Sequence, residues 1–120
     1  MTTWMAIALA VTSLTASAVP RADAEIDQLL EALRSSGCRF QRNGTWYAAA
    51  TAADHLATKR DALRQRGRLQ SAEDFIRLAG TESSMSGQPY RVACPDQPEV
   101  SSKAWLEAEL QRLRGRAPGP

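Results

Sequence analysis

The chain has few of the residues from which chemical sites are usually built. It contains one histidine and two cysteines in 120 residues, too few for the ligand sets that proteins use to bind zinc. Its acidic residues do not follow the spacing of a calcium-binding EF-hand loop. The phosphate-binding patterns GxxxxGK and GxGxxG are absent, and so is the GxSxG turn of serine hydrolases. We therefore expect no metal site and no cofactor.

Neither sign of charge predominates in the chain. The chain has 15 basic and 13 acidic residues, which gives a formal net charge of +2. This bias is too small to indicate nucleic acid or an anionic lipid surface as a partner. The densest basic stretch, residues 59–68, includes Asp61 and has no aromatic residues on which bases could stack, a pattern typical of a solvated helix face. We predict no nucleic-acid partner.

One apolar stretch stands out, and it lies close to the N-terminus. Met5–Leu14 is mostly apolar, and small residues follow it in two AxA patterns that end at Ala18 and Ala24. The pattern predicts a signal peptide over residues 1–24, with cleavage after Ala24 preferred and cleavage after Ala18 as the alternative. A membrane anchor is the competing interpretation, although the stretch is short for a span. We expect a periplasmic or secreted mature protein without stable membrane insertion after signal removal.

The two cysteines, Cys38 and Cys94, predict a disulfide in such a compartment. Their wide spacing excludes a CxxC redox site, and two free buried thiols are the alternative interpretation. Residues around Cys38 favour a strand, in which alternation places Phe40 and Arg42 on the same face as the cysteine. We therefore expect one bridge that joins the first strand to a distant later segment.

Helical periodicity indicates four helices. Apolar residues recur at helical spacing in residues 24–35, and a stripe of mostly small residues in residues 49–66 suits close packing against another element. Ser71 is predicted to cap a short third helix, and Ser101 or Ser102 is predicted to cap the last one.

Strand signals lie between these helices. Asn43-Gly44 separates two β-prone runs and predicts a hairpin over residues 38–47. A further strand is predicted over residues 90–94. The expected fold is α+β and dominated by helix, with about four helices packed around this small antiparallel sheet. Residues 25–114 would form this single domain, followed by a disordered tail at residues 115–120.

Four short segments occur in a characteristic order and spacing. They are Phe40–Gly44 (FQRNG), Ala53–Lys59 (ADHLATK), Ala72–Ile76 (AEDFI) and Ser83–Tyr90 (SSMSGQPY). Together they resemble the YfeK-like family of small bacterial periplasmic proteins, a domain of unknown function. The resemblance covers about residues 25–114. It implies secretion and a single domain, and it implies no activity.

Two of these segments carry the candidate site. The only histidine lies one helical turn before a lysine, and the serine-rich loop offers hydroxyls and backbone N–H groups that suit a carboxylate or phosphate. The predicted ligand-binding residues are His55, Lys59, Ser83, Ser84, Ser86, Gly87 and Tyr90. The competing interpretation is structural, with the loop a simple turn that leads to the next strand and the histidine bonded to a carbonyl or a serine.

Three hypotheses for function remain open. The leading one is a non-enzymatic envelope protein that binds a small anionic ligand or an unknown envelope protein. The alternative is a small hydrolase or transferase in which His55 acts as a base for a serine of the 83–86 loop, with no catalytic residue yet assigned. That hypothesis requires a histidine nitrogen within about 3.2 Å of a serine hydroxyl in an open cleft. The third is a purely structural or stress-related protein.

Overall fold

The chain forms four helices and one four-stranded antiparallel sheet in a computed structural model that describes residues 2–3, 5–8 and 18–116. The elements are α1 (Ala18–Arg34), β1 (Arg39–Arg42), β2 (Thr45–Ala48), α2 (Ala49–Gln65), α3 (Ala72–Leu78), β3 (Arg91–Ala93), β4 (Val100–Ser101) and α4 (Ser102–Arg116). The strand order is β2-β1-β3-β4. The predicted fold class, α+β and dominated by helix, is confirmed.

The hairpin of β1 and β2 forms where the sequence predicts it. Asn43 and Gly44 have φ angles of 49° and 79°, and a two-residue hairpin turn favours positive φ at both positions because it matches the strand twist. The turn sets the register, in which Arg42 lies opposite Thr45. This register directs Phe40 into the core, where it is 1% exposed.

The sheet continues from β1 to β3 and then to β4. Phe40 pairs with Val92 across β1 and β3, and just beyond the ends of these strands Cys38 and Cys94 form a disulfide with 4.1 Å between their Cα atoms. The predicted bridge is therefore confirmed. The sequence predicts a loop up to residue 100, whereas the structure places a short strand, β4, at its end. Two residues are too few to produce an alternating pattern.

The core lies between one face of the sheet and the helices. α2 contributes its alanine stripe, which allows close packing against α1. α3 begins where Ser71 Oγ accepts a hydrogen bond from the Asp74 backbone N–H at 3.1 Å, as predicted. The largest fully buried side chains are Tyr90, Phe40, Phe75, Ile26, Leu29, Leu33, Leu56, Leu106, Leu110 and Val92.

Ion pairs run along the interface of α1 and α2. They are Asp23–Arg64, Asp27–Arg60 and Arg34–Asp54. Part of the basic stretch that was expected to be only a solvated face therefore pairs with α1. Contacts of this kind extend α1 ahead of residue 24, since Ala22 is buried and Asp23 contacts α2.

The ends of the chain are only partly described. α1 runs through both candidate cleavage positions, while residues 9–17, which include much of the predicted signal peptide, lie outside the described residues. At the other end, α4 extends to Arg116, two residues into the predicted tail, and residues 117–120 lie outside the description. No helix among the described residues has the length and apolar character needed to cross a bilayer.

Candidate functional site

The only histidine lies in the middle of α2, beside β1 and the segment that leads into β3. An Arg42 guanidinium nitrogen is 3.0 Å from His55 Nδ1, and the Tyr90 hydroxyl is 3.3 Å from His55 Nε2. Arginine donates hydrogen bonds and cannot accept them. Nδ1 therefore accepts from Arg42, which leaves the proton of the neutral ring on Nε2, from where it is donated to Tyr90.

Lys59 completes the arrangement one turn further along α2. Its ammonium group donates to the Tyr90 hydroxyl at 3.2 Å and to the Glu82 carbonyl oxygen at 3.1 Å. The same nitrogen lies 5.0 Å from the centre of the Tyr90 ring, which adds a cation–π contact. The third N–H of the Lys59 ammonium group has no hydrogen-bond acceptor among the described residues. We call Arg42, His55, Lys59 and Tyr90 the donor cluster.

The donor cluster changes the ionisation of its members. Burial lowers the pKa of His55, and the charges of Arg42 and Lys59 lower it further. Burial and then Arg42 also lower the pKa of Lys59, against a smaller opposing effect of Glu82. Burial raises the pKa of the Tyr90 hydroxyl, although Arg42 opposes this. These pKa shifts arise because two cations, a neutral imidazole and a phenol lie close together in a partly buried site.

Neither cation of the donor cluster forms an ion pair. In the part of the chain that the structure describes, no carboxylate lies within 4.0 Å of the charged nitrogens of Arg42 or Lys59, as is also true of Arg39, Arg66 and Arg68, whereas Arg60 and Arg64 have such a partner. Arg42 instead packs over the Tyr47 ring at 5.9 Å. The cluster is therefore rich in hydrogen-bond donors and poor in negative charge.

The serine-rich loop is held mainly by its own hydrogen bonds. Ser83 Oγ accepts from the Ser86 backbone N–H at 3.3 Å, and the Gly87 N–H donates to the Ser83 carbonyl at 2.9 Å. Ser86 Oγ donates to Asn43 Oδ1 at 2.6 Å and accepts from the Gln88 N–H at 3.2 Å. These groups fix the loop to the hairpin turn, and they are already engaged there.

The structure thus divides the predicted site residues into two groups. It brings His55, Lys59 and Tyr90 into direct contact, and it places Ser83, Ser86 and Gly87 in the bonded loop, where Ser84 is exposed. Among the described hydrogen bonds, neither His55 nitrogen contacts a serine hydroxyl.

Sequence reasoning missed Arg42 as a member of the site. The signal that could have found it is the alternation that places Arg42 on the inward face of β1 with Phe40.

Two cavities lie away from the donor cluster. One, of about 890 Å³, lies between α3 and α4 and is lined by Ile76, Ala104 and Ala108 among others. A smaller one, of about 300 Å³, lies beside Cys94 and Trp105. No member of the donor cluster lines either cavity, although Glu82, which accepts from Lys59, lines the larger one. Arg42, His55 and Lys59 are partly exposed. Within the described residues, no group of three His, Cys, Asp or Glu side chains could hold a metal ion.

Comparison with known protein families identifies most of the chain. A model described as "Family of unknown function (DUF5329)" matches residues 20–114, which span the sheet, α2 and α3 and most of α1 and α4. No curated protein and no solved structure matches the chain.

Proposed function

We propose that the chain, which belongs to the family of unknown function DUF5329, is an exported protein that binds a small oxyanion at the donor cluster. The ligand would be a carboxylate or a phosphate, held by charge-assisted hydrogen bonds from Arg42 and Lys59. Such bonds to an ionised acceptor are shorter and stronger than those between neutral groups. No catalytic step is assigned to the site.

One observation carries the proposal. Arg42 and Lys59 point at the same neutral histidine–tyrosine pair, and no carboxylate among the described residues forms an ion pair with either, while the charge of Glu82 acts on Lys59 from beyond 4.0 Å. Like charges close together raise the energy of the ionised forms, and partial burial adds to that cost. An oxyanion between the two cations would relieve both costs because it supplies the missing negative charge and the missing acceptors.

The unused donors support a ligand on the solvent side. Lys59 has a third N–H, and the Arg42 guanidinium uses only one of its N–H groups on His55. Both side chains are partly exposed, so a ligand can reach these donors from water. Tyr90 is 1% exposed and serves as the buried acceptor that orients His55 and Lys59.

Export is supported by the bridge and by the resemblance to YfeK-like periplasmic proteins. Disulfides persist mainly in oxidising compartments, and the Cys38–Cys94 bond closes a long segment of the chain. We place the protein in the periplasm or outside the cell on these grounds. The hydrolase hypothesis gains no support, since both His55 nitrogens are occupied by Arg42 and Tyr90.

The test uses the only two lysines of the chain as a matched pair. Inorganic phosphate and acetate are titrated into the isotope-labelled protein, and backbone amide shifts are followed by NMR. Lys59→Met should weaken phosphate binding by at least about tenfold, which corresponds to about 1.4 kcal/mol. Lys103→Met removes an exposed lysine of α4 that pairs with Glu107 and has no described contact with the cluster, and it should leave binding unchanged. Equal affinity in both variants, or no saturable shift with either anion in the folded wild type, would disprove the proposal.

A further inference from the structure

The hydrogen bonds of His55 can be made only by its neutral ring. Nδ1 must carry a lone pair to accept from Arg42, and Nε2 must carry the proton to donate to Tyr90. A protonated imidazole donates from both nitrogens. Protonation would therefore break the contact with Arg42, free its guanidinium, and place a third positive charge in the donor cluster.

The surroundings of His55 make that charge costly in the empty site. Arg42 faces the ring from β1, Lys59 from the next turn of α2, and Tyr90 from the segment before β3. The nearest acidic residue in sequence, Asp54, pairs with Arg34 on the α1 side. Glu82, on the loop before β3, acts on Lys59 and does not offer its carboxylate to the ring. Burial and the two cations accordingly lower the pKa of His55.

A bound oxyanion would reverse this balance. It would add negative charge beside the ring, accept from the freed Arg42 guanidinium, and give a protonated His55 an acceptor within reach. The protonated form would then bind the anion more tightly than the neutral form does. By thermodynamic linkage, binding must raise the affinity of His55 for its proton by the same factor.

We propose that His55 takes up a proton when the oxyanion binds, so that affinity for the anion rises as the pH falls. This inference rests on the proposed function, because it describes regulation of the same site. The affinity changes by at most about tenfold per pH unit, since a single proton is linked to binding. The affinity changes mainly at pH values between the pKa of His55 in the empty site, which is lowered, and its higher pKa in the occupied site.

The composition of the chain makes the effect measurable. His55 is the only histidine, and histidine is the side chain whose ordinary pKa lies in the range between about pH 5 and 8. The terminal amino group also titrates near the upper end of this range, and a variant without the histidine controls for it. Sulfate is the suitable probe because, unlike phosphate, it keeps a constant charge across this range.

The experiment compares sulfate affinity at about pH 5.5 and about pH 7.5 in the wild type and in His55→Gln. Glutamine offers Arg42 an acceptor and Tyr90 a donor, and it cannot be protonated in this range. We expect the wild type to bind sulfate at least about fivefold more tightly at the lower pH. The variant should bind with an affinity that changes little with pH. In the wild type, NMR of the imidazole nitrogens should show the Nε2–H form when free and a raised pKa at saturating sulfate.

The outcomes separate the two proposals. Wild-type protein that is folded but binds neither sulfate nor phosphate at either pH disproves the proposed function and this inference with it. Sulfate binding with the same pH dependence in both proteins overturns only the proton linkage. Should His55→Gln fail to fold, the histidine titration of the wild type decides alone, and an unchanged pKa at saturating sulfate overturns the inference.

Discussion

Removal of the Cys38–Cys94 bridge should lower stability by an amount that the chain topology determines. The two residues are 56 positions apart in sequence, and the chain-entropy model gives about 4 kcal/mol for closing a loop of that length in the unfolded state. This is an upper figure, because residual structure in the unfolded chain already restricts the loop. Small domains are stable by only about 5–15 kcal/mol, so the bridge supplies a substantial part of the total.

The assay is urea unfolding of the wild type and of the Cys38→Ala, Cys94→Ala double variant, followed by circular dichroism. We expect a loss of about 3–4 kcal/mol in the free energy of unfolding, together with a larger dependence on urea because the unfolded variant is more expanded. Reduced wild type should behave as the double variant does. A loss below about 1 kcal/mol would refute the reasoning, because the unfolded chain would then be almost as restricted without the bridge as with it.

Two further predictions concern packing. Gly80→Ala should destabilise the fold by about 1–3 kcal/mol, because a Cβ there would overlap Leu106 Cδ1. Gly115→Ala, where a Cβ meets nothing within 4 Å, should be neutral or stabilising in the same thermal unfolding measurement, and equal losses in the two variants would contradict the packing argument. A chain that begins at Glu25 should be less stable than one that begins at Val19 by roughly 1–2 kcal/mol, since it loses a buried alanine and an ion pair to α2. On the proposal that the chain is exported, the mass of the mature product should correspond to the longer form, and an equally stable product that begins at Glu25 would count against this.

The parts of the fold that the sequence predicts are those decided by neighbouring residues. Asn43 and Gly44 tolerate the positive φ angles that the hairpin turn requires, and this requirement is met within two positions. Ser71 caps α3 by accepting a hydrogen bond from the backbone N–H of Asp74, three positions ahead. The helical stripes are equally local, because each helix presents its apolar residues to the core at a fixed period. In all these cases the partner atoms lie within a few residues.

The parts that the sequence did not predict depend on distant partners. β4 exists because Val100 pairs with Val92, and nothing within its two residues indicates a strand. The part of α1 ahead of residue 24 contacts a distant partner, since Asp23 pairs with Arg64 on another helix. Arg42 joins His55 only when β1 packs against α2. Even though strand alternation predicted the inward direction of Arg42, it could not name the residue that Arg42 would meet.

The choice of acceptors around Lys59 argues for binding over a purely structural role. Its two hydrogen bonds go to a tyrosine hydroxyl and a backbone carbonyl, and neutral acceptors of this kind can be satisfied by a neutral donor. The positive charge strengthens these hydrogen bonds and the contact with the Tyr90 ring, while burial and then Arg42 oppose the charge and lower the pKa of Lys59 against the smaller effect of Glu82. On the proposed function, a bound oxyanion would offset this cost because it would supply negative charge beside Lys59. The same reasoning applies to Arg42, which uses one donor on a neutral ring and keeps the remaining donors of its fork for an acceptor that the described residues do not supply.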